Sequence, residues 1–261
     1  MDFTRTRLMK QARLFGREAM EILASERMFI AGCGRNGSAF AILSAYSGFM
    51  DFVLADPDSV EPRNLNASIG FSRNDIGRRK VDVVRERLLS LDPSITCETL
   101  ALRIQDERAR KTLASADIVV DATDSIPAKK FLNAVVAENI RKGKDQKLLS
   151  LGSGAYAEDG GILQMGAQAV LFEKGGACLL CGPLNREERT NLSDVSLVVV
   201  NVLASLLGLQ LLLSSLLGYG DRPCNFLLYD CLGHRVVGLQ RVGRKDCEYC
   251  GLQQSKEKIH G

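Results

Sequence analysis

The chain has 261 residues, enough for one large domain with a sizeable core and too few for a multi-module assembly. Hydrophobic residues make up 46% and charged residues 25%, a globular balance that excludes disorder, collagen and coiled coil. The formal net charge is +3, which gives no electrostatic case for a nucleic-acid partner.

In chain order, residues 4–24 mix basic side chains with Leu8, Leu14, Phe15, Met20 and Ile22 at helical spacing, which predicts an amino-terminal helical arm over residues 1–25. The opening residues are basic and carry no apolar core, so they do not read as a secretory leader. A short apolar run then leads into Gly32-Cys33-Gly34-Arg35-Asn36-Gly37 and a helical stretch. Apolar runs at 52–55, 95–102, 117–120 and 147–151 predict further strands, and 79–91 predicts a helix ended by Pro93. Strand alternating with helix argues for an α/β fold with a parallel sheet covered on both faces. Beyond Gly160 the texture turns to glycine-rich strands, a long apolar segment and a β-rich stretch over 224–242, before a polar tail at 251–261. The expected division is a nucleotide-binding half at 26–155 and a second half at 156–250.

Residues 195–220 contain no charge and are long enough to cross a bilayer. Asn201, Ser205, Gln210, Ser214 and Ser215 interrupt the segment, however, and a Cys-x-x-Cys pair lies on either side of it. If those cysteines share one ion, a spanning helix would strand them on opposite sides of the membrane. The expectation is a buried helix at a subunit interface, and no membrane partner.

Two residue constellations carry chemistry. The first is the glycine turn with Asp56. The first glycine permits a tight turn, the second lets backbone approach a phosphate, and the third allows close helix–strand packing. Asp56 follows about twenty residues on, placed to accept hydrogen bonds from a ribose. The plainer reading is a glycine turn with an incidental acid. Asn64, Lys80 and Asp124 extend the set towards a nucleoside triphosphate with Mg²⁺, Lys80 neutralising phosphate and Asp124 serving as a hard oxygen ligand. Alternatively, Lys80 sits on a solvated helix face and Asp124 caps the helix that begins near Pro127. The second constellation is Cys178-x-x-Cys181 with Cys247-x-x-Cys250, whose spacing suits one closed tetrahedral zinc site. Disulfides are the competing use. They usually staple small domains without a core, so eight cysteines in a chain this large favour a reducing cytoplasm. Cys33 lies in the glycine turn, and Cys97, Cys224 and Cys231 read as core fillers.

The succession GCGRNG, LADPDSVEPRNLN, DIGRRK, DATDS, CLLC and CEYC resembles the ThiF/MoeB/HesA family, relatives of the ubiquitin-activating enzymes, over nearly the whole chain. The resemblance implies a doubly wound, Rossmann-like, mostly parallel sheet with an antiparallel carboxyl-terminal extension and a four-cysteine zinc site. It also implies a homodimer that binds ATP·Mg²⁺ and adenylates the terminal glycine of a ubiquitin-like or sulfur-carrier protein, or a peptide. On that basis Gly32, Gly34 and Gly37 match the phosphate turn, Asp56 the ribose acid, Asn64 the phosphate-side asparagine, Lys80 the phosphate lysine and Asp124 the metal-associated aspartate. Arg5, with Arg7 as a close substitute, matches the arginine that reaches the partner's ATP.

The chain departs from the family pattern at two positions near the phosphates. Ala67 stands where the family carries a phosphate-contacting arginine, with Arg63, Arg73 or Arg78 as candidate replacements, and Lys129 stands for another arginine. Residues 182–194 contain no cysteine, and Thr190 holds a place where some relatives have one, so no enzyme thioester is expected. The alternatives are an NAD-dependent oxidoreductase built on the same glycines, and a weakly active scaffold that binds a carrier. His234 and His260, the sole histidines, offer the oxidoreductase little.

Overall fold

The computed structural model describes residues 6–158, 161–181, 197–220 and 223–251. Arg5, Thr190, Ser193, His260 and the polar tail beyond residue 251 lie outside them. The expected arm is two helices, α1 (Met9–Phe15) and α2 (Arg17–Ser25), broken at Gly16, whose φ is +91°. Then follow β1 (Arg27–Ala31), α3 (Arg35–Ser47), β2 (Asp51–Ala55), α4 (Lys80–Leu91), β3 (Thr96–Leu100), α5 (Glu107–Ser115) and β4 (Ile118–Asp121). The chain continues through α6 (Ile126–Arg141), β5 (Lys147–Glu158), β6 (Gly161–Phe172), α7 (Val198–Leu217), β7 (Phe226–Asp230) and β8 (Arg235–Leu239).

One eight-stranded sheet runs β3-β2-β1-β4-β5-β6-β7-β8. The pairs from β3 to β5 are parallel, and those from β5 to β8 are antiparallel. β1, β2 and β4 are buried along nearly their whole length, as a parallel sheet covered on both faces requires. One core lies against α3, α4 and α7 and includes Phe40, Phe49, Phe52 and Leu212; the other lies against α5 and α6 and includes Phe29, Leu113, Leu132 and Phe172.

Helix α7 is long and apolar enough to cross a membrane, yet it packs on β5, β6 and α3, with Asn201 and Ser205 buried in that contact. The strands before and after it, β6 and β7, are hydrogen-bonded neighbours, so the chain returns to the same place. The expectation of burial holds for one face. Leu197 at its cap, and Val199 and Leu206 seven residues apart on one face, remain exposed.

Candidate active site and metal centre

The strand order reverses between β1 and β4, and ligands of open α/β sheets bind beyond the carboxyl ends at such a point. The glycine turn sits there. Gly32 has φ +88°, donates its N–H to the Ala55 carbonyl at 2.8 Å, and would bring a Cβ within 2.9 Å of the Ala122 oxygen. A Cβ on Gly37 would fall 1.8 Å from the Gly32 oxygen, so α3 rests directly on the turn. At Gly34 a Cβ would meet nothing within 4 Å, which leaves open space on the side where a ligand would approach.

Asp56, 6% exposed, holds this turn in place: Oδ2 accepts the Cys33 N–H at 2.7 Å and Oδ1 accepts the Asp58 N–H at 2.8 Å. Burial pushes its carboxyl up from the usual range, with Lys80 pulling the other way. The sequence reading missed this strut role. Beyond β2, residues 58–60 pair with 77–80 through Lys80 N–H to Asp58 O, Val60 N–H to Arg78 O and Gly77 N–H to Val60 O. That pairing delivers Lys80 to the start of α4 with 8% exposure and its Nζ 2.9 Å from Asp58 Oδ2. The solvated-face reading of Lys80 is therefore overturned. Because the Asp58 side chain is 63% exposed, an incoming anion has only a rim pair to displace. Asn64 ends a 3-10 turn, its Oδ1 accepting the Glu61 N–H at 2.9 Å.

At the end of β4, Asp121 is fully buried and fully partnered. Oδ1 accepts from the Thr123 N–H and hydroxyl at 3.1 and 2.8 Å; Oδ2 accepts from Lys129 Nζ at 2.6 Å and the Ser150 hydroxyl at 2.7 Å. Lys129 thus serves Asp121. Three residues on, Asp124 is exposed, with no hydrogen-bond or ion-pair partner among the described residues. The helix cap is Ser125, whose hydroxyl accepts the Ala128 N–H at 3.3 Å, so the capping reading of Asp124 fails. The turn builds one satisfied carboxylate that supports one free carboxylate.

A polar thread lies behind these turns. The Ser153 hydroxyl lies 3.0 Å from Asn36 Oδ1 and 2.8 Å from Asn201 Oδ1, Asn201 Nδ2 donates to the Ala67 carbonyl at 3.1 Å, and the Ser205 hydroxyl donates to the Asn36 carbonyl at 3.0 Å. Ala67, 2% exposed, is a backbone anchor in this thread. Of the candidate replacements for its missing arginine, Arg78 is committed to Asp75 and Glu86 and Arg63 to Glu61. Arg73 is exposed and has no ion pair among the described residues.

Arg7 is engaged within its own chain. Its Nε lies 3.2 Å from Asp92 Oδ2 and its Nη1 donates to the Ala45 carbonyl at 2.8 Å, at the carboxyl ends of α4 and α3. The glycine turn is at the other end of α3.

On the opposite side of the sheet, Cys178, Cys181, Cys247 and Cys250 converge, all four sulfurs lying within 4.8 Å of one another. Three of the separations are 3.8, 3.5 and 3.2 Å. A tetrahedral ion at a Zn–S distance of ~2.3 Å needs sulfurs about 3.8 Å apart, so the donor set fits zinc. All eight cysteines are free thiols, which removes the disulfide reading. Burial works against ionisation of Cys247, but the backbone N–H groups of Cys250 and Tyr249 and the thiols of Cys181 and Cys178 outweigh it and bring this thiol down to about 6. Burial pushes Cys178 up to about 11. Asn133 accepts the Leu179 N–H at 2.9 Å, and Arg244 donates its N–H to Cys181 Sγ at 3.3 Å. Of the remaining cysteines, Cys33 and Cys231 are buried as core fillers, whereas Cys97 and Cys224 are partly exposed.

The reversal of strand order, the phosphate-type glycine turn and the acids at two strand ends define a nucleotide-binding α/β domain with an appended cysteine centre. The chain belongs to the ThiF family, whose profile matches residues 6–250. It is 34% identical over 134 residues to the sulfur carrier protein ThiS adenylyltransferase of Escherichia coli K12, covering 51% of this chain and about half, 52%, of that protein. It is 27% identical over 247 residues to the molybdopterin-synthase adenylyltransferase of the same organism, covering 91% and 92% of the two chains. In fold it is similar to a crystal structure of E. coli MccB with MccA-N7isoASN, with a TM-score of 0.76 and 20% identity, covering 96% of this chain and 75% of that one.

Proposed function

We propose that this protein is an ATP-dependent adenylyltransferase that activates a carboxylate, the terminal glycine of a ubiquitin-like or sulfur-carrier protein or the end of a peptide. A carboxylate oxygen attacks the α-phosphorus, the bond to the bridging oxygen of the β-phosphate breaks, and pyrophosphate leaves. The observation that carries this reading is the nearly buried Lys80, delivered beside the Asp56-braced glycine turn with only an exposed carboxylate to hold it.

Gly32, Gly34 and Gly37 cradle the phosphates with the first amides of α3, Asp56 accepts from the ribose, and Asn64 and Lys80 hold the phosphate chain. Asp124 holds Mg²⁺, which supplies charge neutralisation on the phosphates when bound. Arg5 reaches the nucleotide of the partner subunit in a homodimer. Exposed Val199 and Leu206 on one face of α7 support that dimer, since exposed apolar faces mark interfaces. Residues 26–155 form the nucleotide half and 156–250 the zinc and carrier-binding half, flanked by the arm at 1–25 and the tail at 251–261. Zinc at the four cysteines has no open position, so it stabilises the fold. The reduced thiols suit a cytoplasmic protein.

The oxidoreductase alternative has no histidine at the site among the described residues. His234 sits exposed in the connection between β7 and β8, and His260 lies outside the described residues. ATP–pyrophosphate exchange, screened with carriers ending in Gly-Gly and with short peptides, tests the proposal. Exchange with one of them is expected. ATP binding without exchange would favour the scaffold, and NADH binding without ATP binding the dehydrogenase. The product leaves as the acyl-adenylate: no thiol-sensitive adduct should form on a non-reducing gel.

A further inference from the structure

Among the partly or fully buried cations, Lys80 faces Asp58, Lys129 faces Asp121 and Arg7 faces Asp92. Arg241 faces no carboxylate among the described residues. Its backbone is fixed by Asn225, whose Oδ1 accepts the Arg241 N–H at 2.6 Å and whose Nδ2 donates to the Arg241 carbonyl at 3.0 Å. From that anchor the guanidinium reaches the first cysteine pair, Nη2 donating to the Cys178 carbonyl at 3.2 Å and pointing at the Leu179 carbonyl at 3.5 Å. Its Nη1 is buried without a hydrogen-bond partner.

We infer that Arg241 is the built-in counter-cation of the four-cysteine centre and governs how tightly the metal is held. This rests on the zinc reading above. Four thiolates around a divalent ion carry a net charge of −2, which is costly to enclose without compensation. A fixed guanidinium against the first pair halves that charge. Its two carbonyl contacts also hold the Cys178–Leu179 backbone in register with the second pair. Residues around metal ligands set affinity in this way, by orienting the ligands and tuning their field.

The test measures zinc release from the full-length protein to a chromophoric chelator, for wild type, Arg241→Gln and Arg241→Lys. Glutamine keeps N–H donors for the carbonyls and loses the charge; lysine keeps the charge and loses the paired donors. Release from Arg241→Gln should be about 10- to 100-fold faster than from wild type, and release from Arg241→Lys within about three-fold of it. A glutamine variant as slow as wild type overturns the inference, as does a lysine variant as fast as the glutamine one. If Arg241→Gln does not fold, Arg241→Lys decides alone: wild-type retention supports the charge, and a hundred-fold faster loss refutes it. Metal analysis of wild type separates the two layers. No zinc defeats the metal reading and the inference with it, whereas one zinc per chain with an indifferent Arg241→Gln defeats only the inference.

Discussion

The nucleotide edge and the cysteine centre solve opposite problems. At the nucleotide edge, Asp56, Lys80 and Asp121 already have protein partners, so the turns stand without a ligand, and among the described residues Asp124 is an acid left free there. At the cysteine centre, four thiols are crowded together, Cys247 drawn towards ionisation by its neighbours and Cys178 held away from it by burial. One region is organised in advance of its ligand, and the other is completed by it. Substitutions in the first should therefore change chemistry more than stability, and substitutions in the second should do the reverse.

Metal removal is the largest expected effect. Chelation or Cys250→Ser should cost about 4 kcal/mol or more of folding free energy and lower the melting temperature by about 10 °C. Metal-free protein melting with the native form would break the comparison. Next, Lys80→Ala or Asp124→Ala should cut pyrophosphate exchange by about 10²- to 10³-fold while moving the melting point by less than about 2 °C. Full exchange in either variant would leave that side chain without a phosphate role. Third, Lys129→Met leaves the Asp121 carboxylate buried without its cation and should destabilise by about 3 kcal/mol in urea unfolding, with Lys129→Arg close to wild type. Smallest is Arg7→Ala, which removes charge-assisted bonds worth about 1.5 kcal/mol and should leave exchange untouched. A loss of exchange in Arg7→Ala would return Arg7 to the nucleotide.

Local signals in the sequence were legible, and long-range partnerships were not. The strand–helix alternation from β1 to β5 and the glycine turn each declare themselves within a few residues. Strand β5 was expected to stop at Leu151, because Gly152-Ser153-Gly154 carries no apolar alternation; its extension to Glu158 comes from pairing with β6. Arg7 and Asp92 are 85 residues apart, so no window of sequence joins them. A weaker signal existed for the polar thread. Asn201 and Ser205 are four apart in an uncharged helix, hence on one face, and polar atoms on a buried face require partners. Asp121 and Lys129 were similarly within reach, as a strand-end acid followed by a lysine in the first turn of the next helix.

The cysteine centre also has a bearing on the order of folding. With an ion bound, it would join sulfurs 69 residues apart in sequence and enclose α7, β7 and β8 in one coordinated loop. By chain-entropy reasoning, a cross-link of that span removes about 4 kcal/mol of freedom from the unfolded chain. The sulfurs meet only after β7 has added to β6 and α7 has docked, contacts of high sequence separation that form slowly. Metal capture is thus a late latch on a parallel half that can already have condensed. Until the ion arrives, the described stretch from β7 to Cys250 is expected to open locally more readily than the parallel half.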